Sequence, residues 1–66
     1  EAIVVVQAKH YKHPVPVNFV RELIGTKKLN EADEAILMVS GVASPQAREL
    51  AEQNGISVLE GKDLVR

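Results

Sequence analysis

Short apolar runs alternate along the chain with stretches in which apolar residues recur every three or four positions. The first run, Ala2 to Lys9, is rich in β-branched residues and reads as a strand. Its front half is apolar on both faces, as expected of a strand covered on both sides. Two prolines two positions apart then predict an extended loop over Tyr11-Lys12-His13-Pro14-Val15-Pro16. From Val17 onward, Val17, Val20, Leu23 and Ile24 fall at helical spacing with Arg21 and Glu22 opposite them, and Gly25 is expected to end or fray that helix. Ala35 to Val39 reads as a second buried strand, entered from the acidic Glu31-Ala32-Asp33-Glu34. Ser44-Pro45 then sets a capping hydroxyl before a proline at the first helical position, where the missing N–H costs nothing. Ala47, Leu50 and Ala51 form an apolar stripe opposite Arg48, Glu49 and Glu52, and Asn54-Gly55 supplies a left-handed stop. Ile56 to Leu59 is a third short strand; Glu60-Gly61-Lys62-Asp63 turns, and Leu64-Val65 is expected to begin another helix.

The order β-α-β-α-β implies right-handed crossovers and an α/β fold with a mostly parallel three-stranded sheet flanked by helices. In such sheets the carboxyl ends of the strands form the binding edge. Gln7 to Tyr11, Val39 to Ser44 and Leu59 to Lys62 should converge there, and all three stretches are polar or contain glycine. Ser40 to Ser44 runs into a helix N-terminus, whose unpaired N–H groups and dipole attract anions such as phosphate.

Composition narrows the picture. Sixty-six residues allow one domain, 1–66, and a chain this short removes only about 60% of its unfolded surface from water. With one Phe, one Tyr and no Trp the core should be thin. Help from a partner chain or a further segment is therefore expected, and the start at Glu1 fits a fragment or minimal version of a larger domain. A net charge of −1 carries no global signature of nucleic-acid binding, so any such role must rest on local groups. The absence of Cys excludes disulfides and thiolate metal sites and is compatible with the cytoplasm, the expected compartment. The longest apolar run is too short to cross a bilayer, so no membrane association is expected.

Gln7 and Lys9 are the first candidate pair for chemistry. Two apart on a strand, they point to one side, roughly 7 Å apart along it. In an arbitrary protein they would be the polar end of a strand, with Lys9 extending its stem over apolar surface. His10 and His13 stand three apart with no carboxylate between them, which favours loop residues over a zinc site. Arg21, Lys27 and Lys28 read as solvated helix face, and Arg48, near Glu49 and Glu52, as one member of a surface ion pair.

The stretches "IVVVQAKHYKHPVPVNFVRELIGT" and "AILMVSGVASPQARELAEQNGISVLEGKDLV" together strongly resemble the second half of the catalytic domain of Mrr-type restriction endonucleases, in the PD-(D/E)XK nuclease superfamily. The resemblance covers nearly the whole chain. It rests on Gln7-x-Lys9, Tyr11, the Val20-Arg21-Glu22-Leu23 helix, Ser44-Pro45-x-Ala47, and Ile56 to Gly61, in order and at these separations.

That resemblance implies a partial restriction-endonuclease-like fold and metal-dependent phosphodiester cleavage of DNA. The family's half-motif, Gln or Glu, any residue, then Lys, maps onto Gln7 and Lys9 as catalytic residues. The Gln7 side-chain oxygen and the Ala8 carbonyl would face Mg²⁺ or Mn²⁺, which prefer oxygen ligands. Lys9 would hold or help deprotonate the attacking water and offset charge on the transition state. His10, Tyr11, Lys12, Ser40 and Ser44 are the expected DNA contacts, with His10 where the family usually has Arg. The family also needs an Asp on a preceding strand. Glu1 is the only acid before Gln7 and lies about 20 Å away along the strand, while Asp33 and Asp63 fall at the wrong ends of their elements. The expected partners are therefore DNA and either a second copy, as a homodimer, or an upstream segment that completes the site. The alternative is a non-catalytic module that retained the nuclease fold for nucleic-acid contact or self-association.

Overall fold

The computed structural model describes residues 2–64, with the side chain of residue 64 left out. Strand β1 spans Val4–Lys9, helix α1 Val17–Leu29, strand β2 Glu34–Val39, helix α2 Pro45–Gln53, strand β3 Ile56–Leu59 and the one-turn helix α3 Gly61–Leu64. The sheet order is β1-β2-β3, and both pairings are parallel. Register sets Gln7 beside Leu37 and Lys9 beside Val39, and on the other side Leu37 beside Val58. The predicted order and fold class are thus the observed ones. The helix expected to begin at Leu64-Val65 starts earlier, at Gly61, in residues that read as a turn, because Asp63 closes the turn at both ends: its side chain accepts the Glu60 N–H and its own N–H donates to the Glu60 carbonyl. Val65 lies outside the described residues.

Helix α1 packs on β1, β2 and α2, and α2 packs on β3, so both helices lie on one face of the sheet. Crossovers of one hand between strands added in one direction require this. Ala35, Leu37 and Val39 of β2 point into the helix layer and are buried with Val20 and Leu23 of α1, Ala47 and Ala51 of α2, and Ile56 of β3. The expectation that β1 is covered on both faces does not hold among the described residues. Val5 turns to the helices, whereas Val4 and Val6 are 45% and 53% exposed on the opposite face. Ile36, the register partner of Val6, and Met38, the partner of Ala8, lie on that face and are only half-buried.

Gly25 does not end α1. The helix runs four residues past it, because Leu23 and Ile24 anchor one side while nothing crowds the exposed glycine on the other. Termination comes at Asn30, whose side-chain amide donates to the Thr26 carbonyl at 2.8 Å. Lys27 and Lys28 favour the negative end of the helix dipole there. Helix α2 starts as its sequence predicts. The Ser44 hydroxyl accepts the Ala47 N–H at 3.1 Å, Pro45 follows, and Gly55 at φ 67° closes the far end in the left-handed conformation.

Candidate active site at the carboxyl ends of the strands

The three stretches expected at the sheet's rim do converge. Ser40 donates its N–H to the Lys9 carbonyl at 3.1 Å, tying the end of β1 to the loop that leaves β2. Gly61 donates to the Gly41 carbonyl at 2.9 Å, tying the same loop to the end of β3. Val15 donates to the Val42 carbonyl and accepts from Ser44, each at 2.9 Å, which brings the proline loop alongside. A Cβ on Gly61 would overlap the Ser40 carbonyl oxygen, so the approach of the two loops requires glycine at that position.

Gln7 and Lys9 both lie on the helix-covered face of β1 and both are half-buried. The side-chain oxygen of Gln7 is fully buried and accepts no hydrogen bond among the described residues. A buried acceptor without a donor costs about 1–3 kcal/mol, so its retention calls for a group that would satisfy it. The Lys9 ammonium sits 5.0 Å from the centroid of the Phe19 ring, in a cation–π contact with the first turn of α1. A shallow cavity of about 310 Å³ opens at this end of the sheet, lined by Ala8, Lys9, His10, Met38, Val39 and Ser40.

The Ala8 carbonyl follows from the ladder. Parallel pairing uses alternate residues, and Lys9 is one whose carbonyl bonds to β2. The N–H and C=O of Ala8 therefore point the other way, to the outer edge of β1, which has no strand beside it among the described residues.

The loop contacts are more committed than the sequence suggests. The Ala43 N–H, a natural donor to a phosphate, instead donates to the Glu60 side chain at 2.9 Å. Ser44 holds the Ala47 N–H, and Pro45 has no N–H to offer. Glu60 is itself buried, at 4% exposure, and was not singled out by the sequence pattern. The available signal was an acid closing a buried strand directly before a glycine. Arg48 is one member of an ion pair, as expected, and Glu60 is its partner. That guanidinium pairs with Glu60 at 3.5 Å, across two elements, and not with Glu49 or Glu52 on its own helix. Lys62 stands 3.9 Å from the same carboxylate oxygen.

His10 and Ser40 line the cavity, and Tyr11 and Lys12, which follow His10, are exposed. Asp33 accepts the Ile3 N–H at 2.7 Å at the far end of the sheet, and Asp63 accepts the Glu60 N–H at 2.8 Å. Neither acid reaches Gln7, as its place in the chain predicts.

The family model for the Mrr-type catalytic domain, described as a restriction endonuclease, matches residues 1–66. The chain belongs to the Mrr restriction endonuclease family. No curated protein and no solved structure matches it. This Mrr-family chain is therefore a nuclease-type domain, and its parallel sheet and helices agree with a restriction-endonuclease-like α/β fold.

Whether the residues present suit a divalent metal can be tested on their donor atoms. The buried, unpartnered Gln7 oxygen and the outward Ala8 carbonyl are both oxygens of the kind Mg²⁺ or Mn²⁺ takes. Among the described residues, however, no three His, Cys, Asp or Glu are grouped to hold an ion. The described residues thus fit part of such a site.

Proposed function

We propose that this chain supplies the Gln7 and Lys9 arm of a metal-dependent DNA-cleaving site. The observation that carries the reading is the buried Gln7 oxygen, without a hydrogen-bond donor among the described residues, on the same face of β1 as the Lys9 side chain. Gln7 and the Ala8 carbonyl would hold Mg²⁺ or Mn²⁺, which when bound polarises a phosphate oxygen and lowers the pKa of a bound water. Lys9 donates hydrogen bonds to the reacting phosphate or the attacking water and offsets the charge that builds there. Phe19 keeps the Lys9 side chain aimed at the rim. His10 and Ser40, which line the cavity, would steady the DNA backbone together with the exposed Tyr11 and Lys12, and the Ser44 hydroxyl, while it caps α2, would still have a hydrogen bond to donate.

The remaining acidic ligand would arrive on a strand added to the open edge of β1, from a preceding segment or from a second copy. Val4, Val6 and Ala8 present their backbone groups along that edge, and the apolar face beside it is uncovered among the described residues. A second reading, a module that binds nucleic acid or associates with itself without cleaving, is favoured by the lack of grouped acidic ligands among the described residues.

Plasmid incubated with Mg²⁺ or Mn²⁺ and the chain, alongside Lys9→Ala, separates the two. Nicking that disappears in the variant supports the first. No nicking, together with DNA binding that weakens with salt in both proteins, supports the second.

A further inference from the structure

The placement of the chain's aromatic rings carries an inference beyond phosphate contact. The sequence has one Tyr, one Phe and no Trp, and aromatic rings bury more area than any other side chains. A domain this small would gain most by burying them. Yet among the described residues the fully buried core is entirely aliphatic: Phe19 is half-buried against it, and Tyr11 lies on the outer side of Phe19, just past the end of β1. Tyr11 meets Phe19 edge-to-face, with centroids 5.4 Å apart and planes at 79°. It meets His13 in the same manner at 6.3 Å and 76°. Phe19 in turn carries the Lys9 ammonium. Tyr11 is 40% exposed despite these two supports, so the ring is braced and still reaches solvent.

We propose that Tyr11, braced by Phe19 and His13, is a stacking platform for an unpaired nucleobase of the DNA whose phosphate Lys9 receives. The proposal rests on the reading of the site as DNA-binding and adds the state of the strand that it takes. A base in a duplex is stacked on its neighbours and offers no free face, whereas an unpaired base does. Lys9, held on the Phe19 ring that braces Tyr11, and Lys12, the next residue along the chain and exposed, suit the phosphates flanking such a base. A domain so arranged favours single-stranded, frayed or distorted DNA over intact duplex.

The test uses the 66-residue chain in EDTA, which prevents cleavage, with three fluorescein-labelled ligands: oligothymidylate, an abasic strand of equal length and charge, and a blunt duplex. The base-bearing strand is expected to bind about fivefold or more tightly than the abasic strand. Tyr11→Ala should erase that ratio, and Tyr11→Phe, which keeps the ring, should retain it. Lys9→Ala should weaken both strands alike and leave the ratio unchanged. Because Tyr11 is the sole Tyr and there is no Trp, its own fluorescence reports the contact without any variant, and only the base-bearing strand should quench it. Equal binding of base-bearing and abasic strands by the unmodified chain, or equal quenching by both, overturns the proposal. So does a Tyr11→Phe variant that behaves like Tyr11→Ala. Metal-dependent nicking without a base preference sinks the stacking platform alone, and a base preference without nicking sinks only the cleavage role.

Discussion

The Lys9 ammonium stands over the Phe19 ring at 5.0 Å, so the first turn of α1 determines where the cation at the end of β1 is held. Phe19→Leu keeps an apolar side chain against the core and removes the ring's attraction for the cation, worth about 0.5–1 kcal/mol at a partly exposed site. Nicking should fall severalfold in this variant while the urea midpoint shifts little. Lys9→Ala should abolish nicking outright. Wild-type nicking by Phe19→Leu would show that the ring does not position the ammonium.

Gln7 sets stability against function. Its buried oxygen has no donor among the described residues, so Gln7→Met, similar in volume and without the orphaned atom, should stabilise the chain by about 1 kcal/mol. The same change removes a metal ligand. Magnesium should raise the urea midpoint of the unmodified chain and leave that of Gln7→Met unmoved. Gln7→Glu tests the opposite direction, since a carboxylate binds a hard cation better than an amide: it should be less stable without metal and respond more strongly to it. A Gln7→Met chain less stable than the parent would mean that the oxygen is already satisfied.

Most of the fold is legible in the residue pattern because its signals are local. Ser44-Pro45, Asn54-Gly55 and the β-branched runs each specify an element through neighbours a few positions away. Gly25 misleads because its helix propensity is poor, but the buried Val20 and Leu23 and the half-buried Ile24 outweigh roughly 1 kcal/mol of propensity. The uncovered face of β1 was illegible for a different reason. Val4 and Val6 look buried by type, and only the placement of both crossover helices on one face reveals that they are not. At the site, the Gln7 and Lys9 pairing follows from strand alternation alone. Glu60 does not, since its value depends on Ala43, seventeen positions away, and on Arg48.

The Glu60 carboxylate is the clamp of the rim. Glu60→Ala leaves the Ala43 N–H buried without an acceptor and should cost about 2–3 kcal/mol. Glu60→Gln preserves an acceptor for Ala43 and gives up the ion pairs to Arg48 and Lys62, whose side chains are 55% and 75% exposed. Screening by water makes those pairs weak, so the Gln variant should lose less than about 1 kcal/mol. Chemical denaturation of both variants checks the order. Equal losses would place the stabilisation in the charges and not in the hydrogen bond.

The uncovered apolar strip on β1 and β2 predicts association. At micromolar concentration the chain should scatter light as a dimer or larger species, and Val6→Lys, which sets a charge at 53% exposure on that strip, should shift it toward monomer with little change in helix content. A folded monomer before the substitution would remove self-association as the means of covering the strip.

Two glycines should respond to alanine in opposite senses. Gly25 lies inside α1, and a Cβ there meets nothing within 4 Å. Alanine restricts the unfolded chain and suits a helix, so Gly25→Ala should stabilise by about 0.5–1 kcal/mol. At Gly61 the added carbon would overlap the Ser40 carbonyl, which is backbone and cannot swing aside. The Gly61 N–H bond to Gly41 would open with it, and the loop that carries Ser40 would move away from Lys9. Gly61→Ala should therefore lose about 1–3 kcal/mol and weaken DNA binding as well. Urea denaturation and anisotropy on the pair decide the matter. If Gly61→Ala is as stable as the parent, the loop is not pinned at the rim, and Ser40 is not held beside Lys9.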